Sequence, residues 1–164
     1  MTPKAPDLRI ALLASALAMF AGPCLAATPT IVKEADLEFG RFASSAALPA
    51  RVTVSTEGAR STDNGVLLGG ASPQPAQFAV SGASNAVFQA SISVGFSGPS
   101  GVNLESLTAT CGAGSTYASG VLSGCQFSLS GTATIRIGGT LVVDAGRTTT
   151  SLSALNAITV QVSN

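Results

Sequence analysis

Nucleophilic catalysis at serine, threonine or cysteine needs a base held beside the nucleophile, and histidine occurs nowhere in this chain. Serine and threonine are abundant, but the solvent faces of β-strands account for them. The acidic residues offer one arrangement worth testing. Asp36 and Glu38 stand at i, i+2, so on a strand they would share a face roughly 6.6 Å apart, near the separation of paired glycosidase carboxylates. Glu34 continues that row. Ile31, Ala35, Leu37 and Phe39 form the opposite, apolar face, interrupted at Lys33, so the row reads as the solvent face of one strand over residues 28–39. Glu57, Asp63 and Asn64 bring oxygen ligands together without the spacing of a calcium loop. A hairpin turn at Asp63-Asn64-Gly65 accounts for them. Gly138-Gly139 precedes no helix and reads as a bend between two strand segments, not as a phosphate loop. These residues yield no catalytic, metal-binding or cofactor-binding assignment, no cofactor is expected, and the sequence points away from an enzyme.

The cysteines carry more information. Lys4 and Arg9 precede an uncharged run over residues 10–22 rich in alanine and leucine, then Pro23 and the small residues of Cys24-Leu25-Ala26-Ala27. That order is the anatomy of a secretory leader. Cleavage after Ala26 places Cys24 at −3 and Ala26 at −1; cleavage after Ala27 would put the bulkier Leu25 at −3. The run is short for an uncleaved anchor, since a spanning helix needs about 20 apolar residues. Cys24 as a lipidation site is disfavoured by Pro23 before it. Residues 1–26 are therefore expected to be removed as a signal peptide. The rest, residues 27–164, fits one domain exported to the periplasm, the cell surface or the medium.

Cys111 and Cys125 then remain as an even pair in an oxidising compartment, which reads as one disulfide. It would close a loop of about 15 residues, worth on the order of 3 kcal/mol in the chain-entropy model. A redox pair or half a metal site are the rivals. The spacing is not C-x-x-C, and there is no histidine to complete a metal site.

Removing Lys4, Asp7 and Arg9 with the leader leaves six basic against seven acidic residues. So sparse and balanced a charge supplies no basic stripe for duplexes and no basic-aromatic interleaving for single strands. Nucleic acid is excluded as a partner, and no second hydrophobic stretch offers a membrane span. Serine, threonine, glycine, asparagine and glutamine must cover the surface.

Period-2 alternation recurs along the chain. It places Val52 and Val54, Phe78 and Val80, and Phe88, Ala90, Ile92 and Val94 on inward faces. It does the same for Ile135 and Ile137 around Arg136, and for Ile158, Val160 and Val162. Glycine and proline punctuate these runs, and no apolar repeat of helical period intervenes. Several short strands with one buried face each argue an all-β immunoglobulin-like or pilin-like sandwich, with a small barrel as the alternative. The segment 95–124, holding Cys111 and Tyr117, alternates least and reads as a long excursion pinned by the disulfide.

Six segments stand in a telling order: Leu37-Glu38-Phe39-Gly40, Val52-Thr53-Val54, Gly58-Ala59-Arg60-Ser61, Gly65-Val66-Leu67-Leu68-Gly69-Gly70, Ala76-Gln77-Phe78-Ala79-Val80-Ser81-Gly82 and Ile135-Arg136-Ile137-Gly138-Gly139-Thr140-Leu141. In this order they resemble the DUF4402 family of secreted bacterial β-domains, over roughly residues 30–164. The family's usual Gly-x-Tyr-x-Gly stretch before the last strand is missing from residues 147–156. The resemblance implies a β-domain whose architecture is similar to pilin-like and spore-coat-U-like domains. It raises the expectation of a fimbrial or surface-structural role, although fold does not fix function.

Two functional classes follow. The first is a structural subunit whose partners are copies of itself or other surface subunits. Its basis is the terminal segment 28–36, with Ile31, Ala35 and Leu37 as the apolar side of a strand able to complete a neighbour's sheet. The same segment also reads as the first strand of its own sandwich. The second is a monomeric periplasmic or secreted module for a glycan or peptide. Such sites favour aromatic platforms, whereas this chain has no tryptophan and a single tyrosine, Tyr117. The first test is of export and redox state. Intact mass of the exported protein should lack residues 1–26 and a further two hydrogens. Two titratable thiols in native protein would remove the disulfide.

Overall fold

A computed structural model describes residues 28–70, 72–153 and 158–164. The expected leader and its cleavage point lie outside the described residues. Within them every regular element is a strand: β1 (Thr30–Ala35), β2 (Glu38–Ser44), β3 (Ala50–Val54), β4 (Arg60–Asp63), β5 (Gly65–Leu68), β6 (Ala76–Ser81), β7 (Val87–Val94), β8 (Val102–Thr110), β9 (Thr116–Ala118), β10 (Val121–Gln126), β11 (Thr132–Val143), β12 (Thr148–Ser153) and β13 (Ile158–Ser163).

The 12 residues of β11 organise the rest. One edge of β11 pairs first with β6, from Thr132↔Ser81 to Ile137↔Ala76, and then with β3, from Gly139↔Val54 to Val143↔Ala50. Its other edge pairs with β8, from Arg136↔Thr110 to Val143↔Val102. β1 flanks β6 and β4 flanks β3, completing the first sheet. The second sheet runs β12-β2-β5 and the third β13-β7-β10-β9. β1 lies beside β13 and β8 beside β9, while β2 lies beside β3 and β4 beside β5. The sheets thus stack in the sandwich-like, all-antiparallel arrangement that one-sided alternation demands.

The core is one cluster drawn from all three sheets, with Phe39, Phe42, Phe88, Phe127, Ile135 and Ile137 among its largest fully buried members. No polar or charged side chain is buried among the described residues. Phe88 and Phe127 stack at 4.3 Å between ring centroids, a geometry worth about 1 kcal/mol beyond burial. Gly82 makes room for it, since a Cβ there would lie 2.5 Å from the Phe127 ring.

Several expectations need correction. The segment 28–39 is not one strand: β1 stops at Ala35, and Asp36 and Leu37 carry the chain from the first sheet to the second. Leu37 therefore leaves the strand and is fully buried in the link, and the register shift after Lys33 sets Ala35 opposite Gln77, on the other face from Ile31 opposite Val80. Gly138-Gly139 is no bend, because β11 runs straight through it. At Gly138 the neighbouring strand changes from β3 to β6, and a Cβ would press on the Val54 carbonyl oxygen and come within 2.8 Å of the Ser55 carbonyl carbon. Asp63-Asn64-Gly65 is no hairpin either. Asn64, at φ 57°, turns the chain from β4 in the first sheet to β5 in the second. The excursion over 95–124 contains β8, β9 and the start of β10, and β8 pairs with β11 from Val102 to Thr110. Val94, expected inward, is 40% exposed.

Ile137 is fully buried and Arg136 exposed on the same strand. Ile137→Ala should cost roughly 2–5 kcal/mol and Arg136→Ala well under about 1 kcal/mol in urea melts. Equal losses would show that the inward register of β11 is wrong.

Candidate interaction surface

Cys111, just past β8, and Cys125, in β10, form a disulfide with Cα atoms 5.6 Å apart, the span such a bridge needs. It joins the first sheet to the third. The loop between them turns on Ser115, whose hydroxyl donates to the Gly112 carbonyl at 2.7 Å and accepts from the Cys111 amide at 3.3 Å. Among the described residues no group of three or more Cys, Asp or Glu side chains converges on a metal-sized space.

The carboxylates do not assemble. Asp36 pairs with Lys33 at 2.7 Å across the end of β1. The Glu38 backbone instead exchanges hydrogen bonds with Gln74, at 2.9 and 3.0 Å. The break after Ala35 thus dissolves the Glu34-Asp36-Glu38 row. Glu57 lies in the β3–β4 turn and Asp63 at the far end of β4, so Glu57 shares no site with Asp63 and Asn64. The Glu57 carboxylate accepts from Thr56 Oγ1 at 2.7 Å. That bond, helped by Ser55, holds its pKa below the usual carboxylate value.

Arg60 has a different task. Its guanidinium donates to the carbonyls of Phe39, Arg41 and Leu68 at 3.2, 3.3 and 3.4 Å. It thereby clips the start of β2 and the end of β5 to β4, across the first and second sheets. Gly139 closes the same region, since a Cβ there would sit 3.3 Å from Leu37 and 3.0 Å from the Ser106 carbonyl.

Of the open places among the described residues, two lie at the lateral seams of the sandwich, one at each. At the first, β1 pairs with β6 on one edge only, and β13 with β7 on one edge only. Between these edges lies a groove of about 290 Å³ lined by Ile31, Lys33, Phe78, Ile158 and Val160. Ile31 and Ala35 are half-buried, while Thr30, Val32, Lys33 and Glu34 are exposed. At the second seam, Phe96, Tyr117, Leu104 and Leu107 line a cleft of about 450 Å³ together with Asn103 and Glu105. Glu105 is paired with Arg51 at 2.6 Å. Nothing in the sequence pattern points to this cleft, because Phe96 only continues the alternation of β7 past its end and β8 keeps no single period. The rarity of tyrosine was the only signal.

A family model described as a domain of unknown function, DUF4402, matches residues 30–162. The chain belongs to the DUF4402 family. No curated protein and no solved structure matches it. The segments that carry the family resemblance come together in the fold of this DUF4402 domain. Arg60 binds the backbone of Phe39 and Leu68, Gly139 packs on Leu37, and Gly138 receives the end of β3. They close the sandwich and line neither open seam, apart from Phe78 of β6 in the groove beside β1. No helix among the described residues is long and apolar enough to cross a membrane.

Tyr117 is the domain's only tyrosine, and burial raises its phenol above its ordinary value of 10.0. A raised folded value means that the phenol's contribution to stability is complete below about pH 10 and is lost as pH rises through the folded value. Phenolate absorbance should therefore appear above pH 10 in native protein and return to about 10 in urea. A native midpoint at or below 10 would place Tyr117 in full solvent.

Proposed function

We propose that this DUF4402 domain is a non-enzymatic structural protein of the cell envelope or surface, a fimbrial-type subunit or minor surface component exported by the leader over residues 1–26. It associates with copies of itself or with similar subunits. The observation that carries the reading is the state of β1. This strand is the first of the fold, is held by one edge, and buries little of its own side-chain surface. Its other edge opens onto an apolar groove. Unpaired strand edges drive association unless they are blunted, and main-chain pairing at such an edge is a general recognition mode. The polar outer faces suit a protein that packs against others through edges. The pilin-like character of the sandwich is part of this proposal.

The second reading, a module for a glycan or peptide, draws on the cleft that brings Tyr117 and Phe96 together with Asn103 and Ser106. Aromatic rings flanked by a few polar groups are the usual furniture of such sites. This reading ranks lower because the ion pair to Arg51 already occupies Glu105.

Size analysis of the exported protein over a range of concentrations, and of material sheared from cells, decides between them. The structural reading expects concentration-dependent oligomers and recovery in the sheared fraction. Deleting residues 27–34 should abolish the oligomers while leaving a domain that folds when a peptide of that segment is supplied. A protein that stays monomeric throughout, and merely unfolds on deletion, removes the self-association reading.

A further inference from the structure

We infer that β1 is an exchangeable strand: in assemblies it leaves its own β6 and occupies the same seat on β6 of a second copy of this chain. The inference rests on the self-association reading and names the contact that would carry it. What fills the seat is already defined, because β1 pairs with β6 in the register Thr30↔Ser81, Ile31↔Val80, Val32↔Ala79 and Lys33↔Phe78. A second copy offers an identical strand, so exchange forms no new contact and loses none beyond the hinge. That is the logic of a swapped element.

Three features single out β1 from the other strands. Detaching it uncovers little, since only Ile31 and Ala35 are half-buried. By contrast, β6 keeps Ala76, Phe78 and Val80 in the core. The link to β2 is two residues long, Asp36 and Leu37, and it also changes sheet. Leu37 is fully buried and anchors the far side of that link, so β1 can swing about Asp36 without disturbing β2. Short, constrained links favour exchange over closure within one chain. Finally, the pairing is already interrupted near the hinge, where the register shifts between Lys33 and Ala35. The ion pair from Lys33 to Asp36 is exposed, and exposed pairs contribute little to holding such a joint. On the export reading only residues 27–29 precede β1, so nothing has to be unthreaded.

The register supplies a direct test. Val32 and Ala79 are partners across the β1–β6 pair and lie on the outer face. Val32→Cys and Ala79→Cys are made as separate variants of the exported protein. Each variant should keep the wild-type melting profile and its Cys111–Cys125 bridge. Mixed at high concentration and mildly oxidised, they should give a heterodimer linked through the new cysteines, because one chain's β1 then sits on the other's β6. Each variant alone should give at least about tenfold less cross-linked dimer, since neither holds both members of the pair. If the mixture cross-links no more than the single variants while wild-type protein still forms oligomers, exchange is overturned and self-association stands on another surface. If wild-type protein is monomeric at every concentration and the mixture does not cross-link, both readings fall.

Discussion

The close approach of two strands at Gly138 sets the architecture. β11 must accept β3 and then β6 along a single edge, and the chain turns away from β3 just where β6 begins. The Val54 carbonyl comes so near the Gly138 backbone that no side chain fits between them. A substituent there would push β3 away from β11, and with it the register of Val52 and Val54 against Leu141 and Gly139. That register carries the second sheet, because β2 lies beside β3 and Arg60 reaches from β4 to the backbone of β2 and β5. Glycine is thus needed for its lack of a side chain and for nothing chemical.

The residues by which the chain resembles its family gather at this closure. Leu37 packs at Gly139, Phe39 offers its carbonyl to Arg60, and Leu68 does the same from the end of β5. In this fold those residues close the sandwich. The seams are a different kind of place, where strand edges stay open and a change of side chain would leave the core undisturbed.

The strands that follow simple alternation were legible in the sequence: β3, β6, β7, β13 and the first half of β11 have their apolar residues two apart and buried as expected, apart from exposed Val94 at the end of β7 and half-buried Val162 near the end of β13. Three of the strands that were not legible share one physical cause. In β8 the apolar residues run Val102, Leu104, then Leu107 and Ala109, because the register shifts at Glu105 and the phase slips by one. β10 slips in the same way between Leu122 and Cys125, at Gly124 with φ 75°. β2 slips at Gly40, with φ 71°, opposite an irregular stretch of β12. Bulges erase the period that a reader looks for. The disulfide was legible because it needs only two cysteines and an oxidising compartment. The cleft at Tyr117 was not, because it depends on how β8 and β9 lie across a seam.

The bridge from Cys111 to Cys125 has a mechanical side. The first and last strands lie side by side at one seam, so a pull on the two ends would load their edges one hydrogen bond at a time, as a zipper opens. Such peeling proceeds at low force. Past it, the stretch between the bridged cysteines, which stand 14 positions apart in the chain, cannot lengthen, which withholds on the order of 40 Å of contour. β8 and β10 stay tied at that point however far the ends are drawn. Under tension the domain would therefore yield gradually at one side and keep a covalently limited knot of sheet at the other.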